Sequence, residues 1–331
     1  MISQDRKTRL IYLCAFALLL SSIEYLIPKP LPFLKIGLAN LPILLASSFL
    51  PLKELLILSV SKSIVQSIIS GTTISPFFII SLISTLVATF FMYFSFRIFK
   101  KSTFIGISVI GALTNNICQI SLAAILIYGK SIFIALPLVA LMGIITSIIL
   151  GVFANILNDQ SEFIQKAKDL TLDSINNVTS LDNANKTKNI TITVFAFTFI
   201  LLSVFVENII YLLVILTLSY ILQKASKRKI KLTYPLILLF SMVLISVFDQ
   251  QGQVLFHISK LYITKDSLIF YTTKAIRILI IIASSQSLIK SSYIKFGWVE
   301  KVFYLYSCFL NNFSSKKGSF IKRIDQALLN N

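Results

Sequence analysis

The stretch Ser108-Val-Ile-Gly111-Ala-Leu-Thr-Asn115-Asn116-Ile-Cys-Gln119-Ile120 sets two asparagines and a glutamine inside an apolar run long enough to cross a bilayer. On a helix, Asn115 and Gln119 share a face with Gly111, because residues four apart lie one above the other. Carboxamides in hydrocarbon are costly unless partnered, so this face must look inward, at a cavity, a ligand or another helix. The stretch predicts a membrane protein with a polar internal site.

Working outward, 56% of the 331 residues are hydrophobic and 13% charged, with a mean hydropathy of +0.85. That lies outside the range of soluble globular domains. The apolar material comes in repeated runs of roughly 17–25 residues, the length that crosses a bilayer core as helix. These runs lack the alternation of barrel strands, which leaves helices as the means of satisfying the backbone in lipid. The fold class read from the sequence is all-α, a polytopic helical membrane protein.

Residues 10–27 follow Arg6, Lys7 and Arg9 like a signal peptide, yet they hold Glu24 and run into Pro28-Lys-Pro-Leu-Pro32 without a small-residue cleavage pattern. They read as a retained first helix. Cys14, Cys118 and Cys308 are scattered, with neither disulfide nor metal spacing, so no metal or cofactor is expected.

Ten spans are read at 10–27, 37–51, 54–71, 77–96, 103–127, 132–156, 190–206, 208–222, 232–248 and 267–289. The net charge of +18 suggests nucleic acid until the cations are mapped onto these spans. With the N-terminus inside, 23 of the 31 Lys and Arg residues fall in cytoplasmic segments. Positive residues stay on the inner face during insertion, so both termini are expected to be cytoplasmic, in an inner membrane, with no nucleic-acid partner. The run 38–51 is short and carries Pro42 near its start, as a broken or re-entrant element would. Residues 158–189 hold five of the 13 acidic residues and read as a cytoplasmic linker. It separates a six-helix domain, 1–157, from a four-helix domain, 190–291, and a cytoplasmic tail, 292–331.

Few charges remain at membrane depth. Lys62 sits mid-span with Gln66 one turn on, and an isolated cation there costs at least ~2.5–3.5 kcal/mol. It either pairs with Glu24 or meets a charged substrate. Asn115, Asn116 and Gln119 either bind a ligand or hold helices together. In the second half Lys274 and Arg277 share a helix face, with Glu207 and Asp249 as candidate ion-pair partners. His257, the only histidine, has no acid or nucleophile beside it.

In the tail, Phe296, Val299, Phe303, Tyr306, Leu310 and Phe313 recur at helical steps. That pattern reads as an amphipathic helix lying on the cytoplasmic leaflet, in contact with membrane lipids, or docking a partner. Basic residues beyond it include Lys316, Lys317, Lys322 and Arg323.

Three motifs in order carry a resemblance: Pro32-Phe-Leu-Lys35-Ile-Gly37-Leu-Ala-Asn40-Leu-Pro42, Ser70-Gly71-Thr-Thr-Ile-Ser-Pro76, and the Asn115 stretch. Residues 10–157 resemble the Gx transporter family, whose members are often labelled heptaprenyl diphosphate synthase component I. That family is related to the substrate-binding S components of energy-coupling factor (ECF) vitamin transporters. The family usually has His-Asn at Asn115-Asn116 and Arg at Lys62. Gly252-Gln-Val-Leu-Phe256, residues 262–268 and Ala275-Ile-Arg277 are similar to the ECF transmembrane T component, although that family's cytoplasmic Ala-Arg-Gly/Ser coupling signatures are missing.

The resemblance implies an importer subunit for a vitamin or its precursor, an S-like half fused to a T-like half. Its small-molecule substrate is expected at Asn40, Lys62, Gln66, Asn115, Asn116 and Gln119. The sequence has no phosphate-cradling loop, so a separate ATPase is expected on the cytoplasmic face, met by Arg277, Phe296, Phe303 and Arg323. The alternative is a non-catalytic membrane component of polyprenyl diphosphate synthesis. Catalytic prenyltransferases hold Mg²⁺-diphosphate through clustered carboxylates, and this chain has no two adjacent aspartates. No enzyme activity is expected of it.

Overall fold

The computed structural model describes residues 4–26, 37–70, 72–99, 103–172, 186–226, 233–248, 253–258, 261–291, 297–315 and 320–329. Helices dominate, as the apolar runs require. The first half holds α1 (Gln4–Leu26), a 3-10 turn (Leu38–Asn40) leading into short α2 (Leu41–Ala46), α3 (Leu52–Ser70), α4 (Pro76–Ile98) and α5 (Phe104–Ala123). A π-helical turn (Ala124–Tyr128) and a second 3-10 turn (Lys130–Ala135) then lead to α6 (Leu136–Gln160) and α7 (Glu162–Asp169). Prolines open α2, α4 and α6, where a missing N–H costs nothing. Thr103 and Ser161 cap α5 and α7 by accepting backbone N–H bonds.

Among the described residues four helical stretches are long and apolar enough to cross a membrane: Pro76–Ile98, Phe104–Tyr128, Lys130–Gln160 and Lys265–Ser287. Large apolar side chains such as Phe90, Phe91, Ile145 and Ile149 are exposed on them, which suits lipid and not water. The protein is membrane-embedded. Helix α1 is different: Leu13, Ala15, Phe16, Leu18, Leu19 and Leu20 are all fully buried, as in a helix enclosed on every side.

The arm of residues 37–50 is placed by two contacts at opposite ends of α1. The Ala39 N–H donates to the Glu24 carboxylate at 3.3 Å. Ten residues on, Phe49 lies under the Arg9 guanidinium, 5.8 Å from its carbon. Arg9 in turn donates to Glu54 at 2.7 Å at the start of α3. Residues 37–50 therefore return along α1 over about 22 Å, the length of fifteen helical residues, and α1 and α3 run parallel. A tight start makes this possible: Gly37 has φ +98°, a left-handed conformation open to glycine. Gly37→Ala is expected to destabilise the fold by about 1–2 kcal/mol, read as a lower thermal midpoint in detergent.

Helices α4, α5 and α6 pack antiparallel at close range. A Cβ at Gly111 would meet Met92 Sδ at 2.7 Å, and one at Gly151 would meet the Ile105 Cα at 2.4 Å.

The second half comprises α8 (Lys186–Phe205), α9 (Ile209–Ala225), α10 (Thr233–Ser246), a hairpin of β1 (Val254–Ile258) and β2 (Leu261–Thr264), α11 (Lys265–Ser291), α12 (Gly297–Ser315) and α13 (Phe320–Leu329). Helix α11 is the hub, packing on α8, α9 and α10. It also joins the halves: Tyr271, Ala275, Ile278 and Leu279 share one core with Ile80, Ile120, Ile127 and Tyr128.

Several expectations change here. The antiparallel hairpin was not anticipated, and it includes His257, paired with Tyr262. The expected linker contains α7, whose Phe163, Ile164 and Ala167 are buried in the first-half core; residues 173–185, Asp249 and Phe296 lie outside the described residues. Lys274 and Arg277 cap helix ends. Lys274 Nζ donates to the Ile127 carbonyl at 3.2 Å and Arg277 Nη2 to the Val206 carbonyl at 3.0 Å, where helix C-termini carry partial negative charge. The Tyr271 hydroxyl donates to the Tyr128 carbonyl at 3.0 Å. The π-turn leaves these first-half carbonyls to be met from outside their own helix.

Helix α11 also approaches the turn before α4, where the Ile74 N–H donates to Ser285 Oγ at 3.4 Å. Ile74 and Ile127 stand at the same end of the antiparallel α4–α5 pair, so α11 is inclined across that end and not aligned with its side.

The tail departs most. Helix α12 packs along α1, with Val302, Leu305 and Phe309 buried in the same core as Leu13 and Phe16. Tyr306 and Ser22 hydroxyls share a 2.7 Å hydrogen bond. The buried stripe is rotated from the expected one: Leu310 is exposed, while Phe303, Tyr306 and Phe313 are half-buried. Asp325 of α13 accepts from Ser161 and from the Phe163 N–H, capping α7. Since Arg9 also reaches the Ala167 carbonyl, α1 and α13 both bond to the same small helix.

Candidate functional site

A cavity opens between the arm of residues 37–50 and helices α4, α5 and α6, with about 480 Å³ of free space counting its mouth. Gly37, Asn40 and Leu44 line it from the arm and Met92 from α4. Ser108, Gly111, Asn115 and Asn116 line it from α5, and Gly143, Thr146, Ser147 and Leu150 from α6.

Each polar group is delivered by local structure. The four-residue step of α5 stacks Gly111 and Asn115 on the face turned to α6. Asn116 Nδ2 donates to the Val139 carbonyl at 3.2 Å, and glycine at 143 makes room, since a Cβ there would sit 2.1 Å from that nitrogen. Asn40 ends the 3-10 turn, where Lys62 Nζ donates to its Oδ1 at 2.7 Å. Lys62 is 1% exposed and stands behind Asn40, off the cavity wall. Glu24, also buried, holds the neighbouring Ala39 N–H. The two charges expected at membrane depth thus grip consecutive residues of one turn.

Asn115 stands apart. It is 6% exposed, lines the cavity, and its Oδ1 is buried without a hydrogen-bond partner among the described residues. An unpaired buried carbonyl oxygen costs about 1–3 kcal/mol, so one that lines a cavity is a place for a water or a ligand donor to bond.

Of the six expected binding residues, Asn40, Asn115 and Asn116 come together on the wall and Lys62 joins them through Asn40. Gln66 and Gln119 are not on the wall; Gln119 is buried one turn further along α5, its Oε1 also unpartnered among the described residues. The reading missed the α6 wall, although Gly143, Ser147 and Gly151 at four-residue steps form a small-residue stripe of the kind that brings membrane helices close. It also missed Glu54, which is 3% exposed and bonded to Arg9 and Arg6.

The expected ATPase contacts are engaged within the chain. Arg277 caps α8, Phe303 packs against the first-half core, and Arg323 donates to the Phe313 carbonyl with its guanidinium 4.3 Å above that ring. Among the described residues no cluster of His, Cys, Asp and Glu could hold a metal ion.

The sequence model of the heptaprenyl diphosphate synthase component I family matches residues 13–157, which run from within α1 to the last turn of α6 and contain every described residue of the cavity wall. No curated protein and no solved structure gives a significant match to the chain.

Proposed function

We propose that this chain is a membrane transport subunit that binds a small molecule, of the vitamin or precursor class, in the cavity of its first half. The observation that carries the reading is Asn115, a buried carboxamide on a cavity wall with its oxygen unpartnered among the described residues. Six crossings in the first half are supported by the return of residues 37–50 along α1 and by α1 and α7 meeting at one end. The second half adds apolar helices for a total of about ten, in an inner membrane with both termini cytoplasmic, as the cation distribution supports. It acts as scaffold, in the manner of an ECF T component, and uphill import draws on a separate ATPase. Deleting residues 292–331 tests that coupling poorly, because it strips Val302, Leu305 and Phe309 from the core around α1.

The second reading, a non-catalytic membrane component of heptaprenyl diphosphate synthesis, is favoured by the family whose model matches. Mass spectrometry of small molecules co-purifying with the detergent-extracted protein separates the two. The transport reading expects a compound released by Asn115→Leu, together with an uptake defect in cells lacking the protein. A co-purified polyprenyl diphosphate, with altered polyprenyl chain length in those cells, would overturn it.

A further inference from the structure

Resting on the reading of this cavity as a binding site, we infer that its ligand is neutral and presents an N–H donor beside a C=O acceptor along one edge: a lactam, a ureide or a carboxamide. Asn115 makes no hydrogen bond to any described residue, so its whole primary amide is left for the ligand. A primary amide offers one acceptor oxygen and two donor hydrogens, and turning it over exchanges their positions without changing the set. Its complement is an edge of the same kind, which closes two parallel hydrogen bonds with it. Asn116 and Asn40 do not compete for that role, since the first is tied to Val139 and the second to Lys62.

Charge is disfavoured by what the described residues place on the wall. Among them every polar side chain on the wall is an amide or a hydroxyl, and neither Lys62 nor Glu24 is on it. Their charges lie on the back of the arm, of opposite sign, holding residues 39 and 40. A carboxylate, diphosphate or ammonium in the cavity would give up its hydration with no countercharge among the described wall residues, which costs far more than an amide pair returns. The rest of the wall suits the body of a flat molecule, since Leu41, Leu44 and Met92 supply apolar contact.

The test uses the full chain in nanodiscs and ligand-observed saturation-transfer NMR. Uracil and 2-pyridone serve as lactam probes, and acetate and inorganic pyrophosphate as anionic ones. The lactams are expected to bind, with affinity falling about tenfold or more in both Asn115→Leu and Asn115→Asp. Acetate and pyrophosphate are expected to give no signal that depends on Asn115. Asn115→Ser guards against a folding artefact and should show the same loss with an unchanged thermal midpoint. Pyrophosphate or acetate binding abolished by Asn115→Leu would overturn the neutral class and leave the binding site standing. Lactam signals that are absent, or unchanged in the variants, would also overturn the class. If the compound co-purifying with the wild type is equally retained by Asn115→Leu, the binding-site reading falls as well.

Discussion

Gly151→Ala is expected to lower the stability of the detergent-solubilised protein by about 3 kcal/mol or more, against the usual direction of a glycine-to-alanine change in a helix. Helix propensity alone would favour alanine by about 1 kcal/mol. The new methyl group, however, would stand 2.4 Å from the Ile105 Cα and 2.9 Å from its backbone nitrogen, and neither can rotate away. Relief requires α5 and α6 to move apart, and overpacking that forces side chains and backbone to shift typically costs about 1–3 kcal/mol, occasionally more. Moving α5 also displaces Asn115 and Asn116 from α6, so ligand co-purification should fall along with the thermal midpoint. Gly111→Ala is the control. Its obstacle is the flexible Met92 side chain, and a much smaller loss is expected. A Gly151→Ala protein as stable as wild type would mean that the two backbones are not in contact.

Glu54→Gln is expected to cost about 3–5 kcal/mol, because it leaves the Arg9 guanidinium buried beside a neutral group. Arg9 and Glu54 side chains are 7% and 4% exposed and 2.7 Å apart. Arg6, whose side chain is 52% exposed, adds a second contact at 3.3 Å worth about 0–1 kcal/mol in solvent. The double variant Arg9→Met/Glu54→Leu should recover most of the loss, since removing both charges removes the desolvation cost as well. Thermal unfolding of the single and double variants gives the coupling directly. Equal losses in Glu54→Gln and the double variant would show that the pair contributes through packing and not through charge.

Membrane class, most of the helix runs and the polar face of α5 were all legible in the residues themselves. They depend on composition and on the 3.6-residue period, which act locally. The amides at 115 and 116 announced an inward face because hydrocarbon offers them nothing, whatever the rest of the chain does. The return of 37–50 was partly legible, since Pro42 and the shortness of the run pointed to an irregular element.

What lay outside the sequence's reach was which surfaces meet. The tail showed an amphipathic period, and a leaflet, a partner and another helix of the same chain all satisfy such a stripe; the fold chose α1. Lys274 and Arg277 looked like members of ion pairs because side-chain charges can be read from the sequence. The carbonyls they cap, at Ile127 and Val206, are backbone atoms that every residue carries and that become acceptors only where a helix ends beside them. Likewise, Asn115 and Gln119 are equivalent on the α5 face as residues. Only the packing of α6 and the arm of residues 37–50 puts one on the cavity wall and leaves the other off it. The sequence determined the solvent this chain folds in and the helix faces that avoid it; the tertiary structure decided what each face meets, because the distance between residues far apart in the chain is set by packing and not by period.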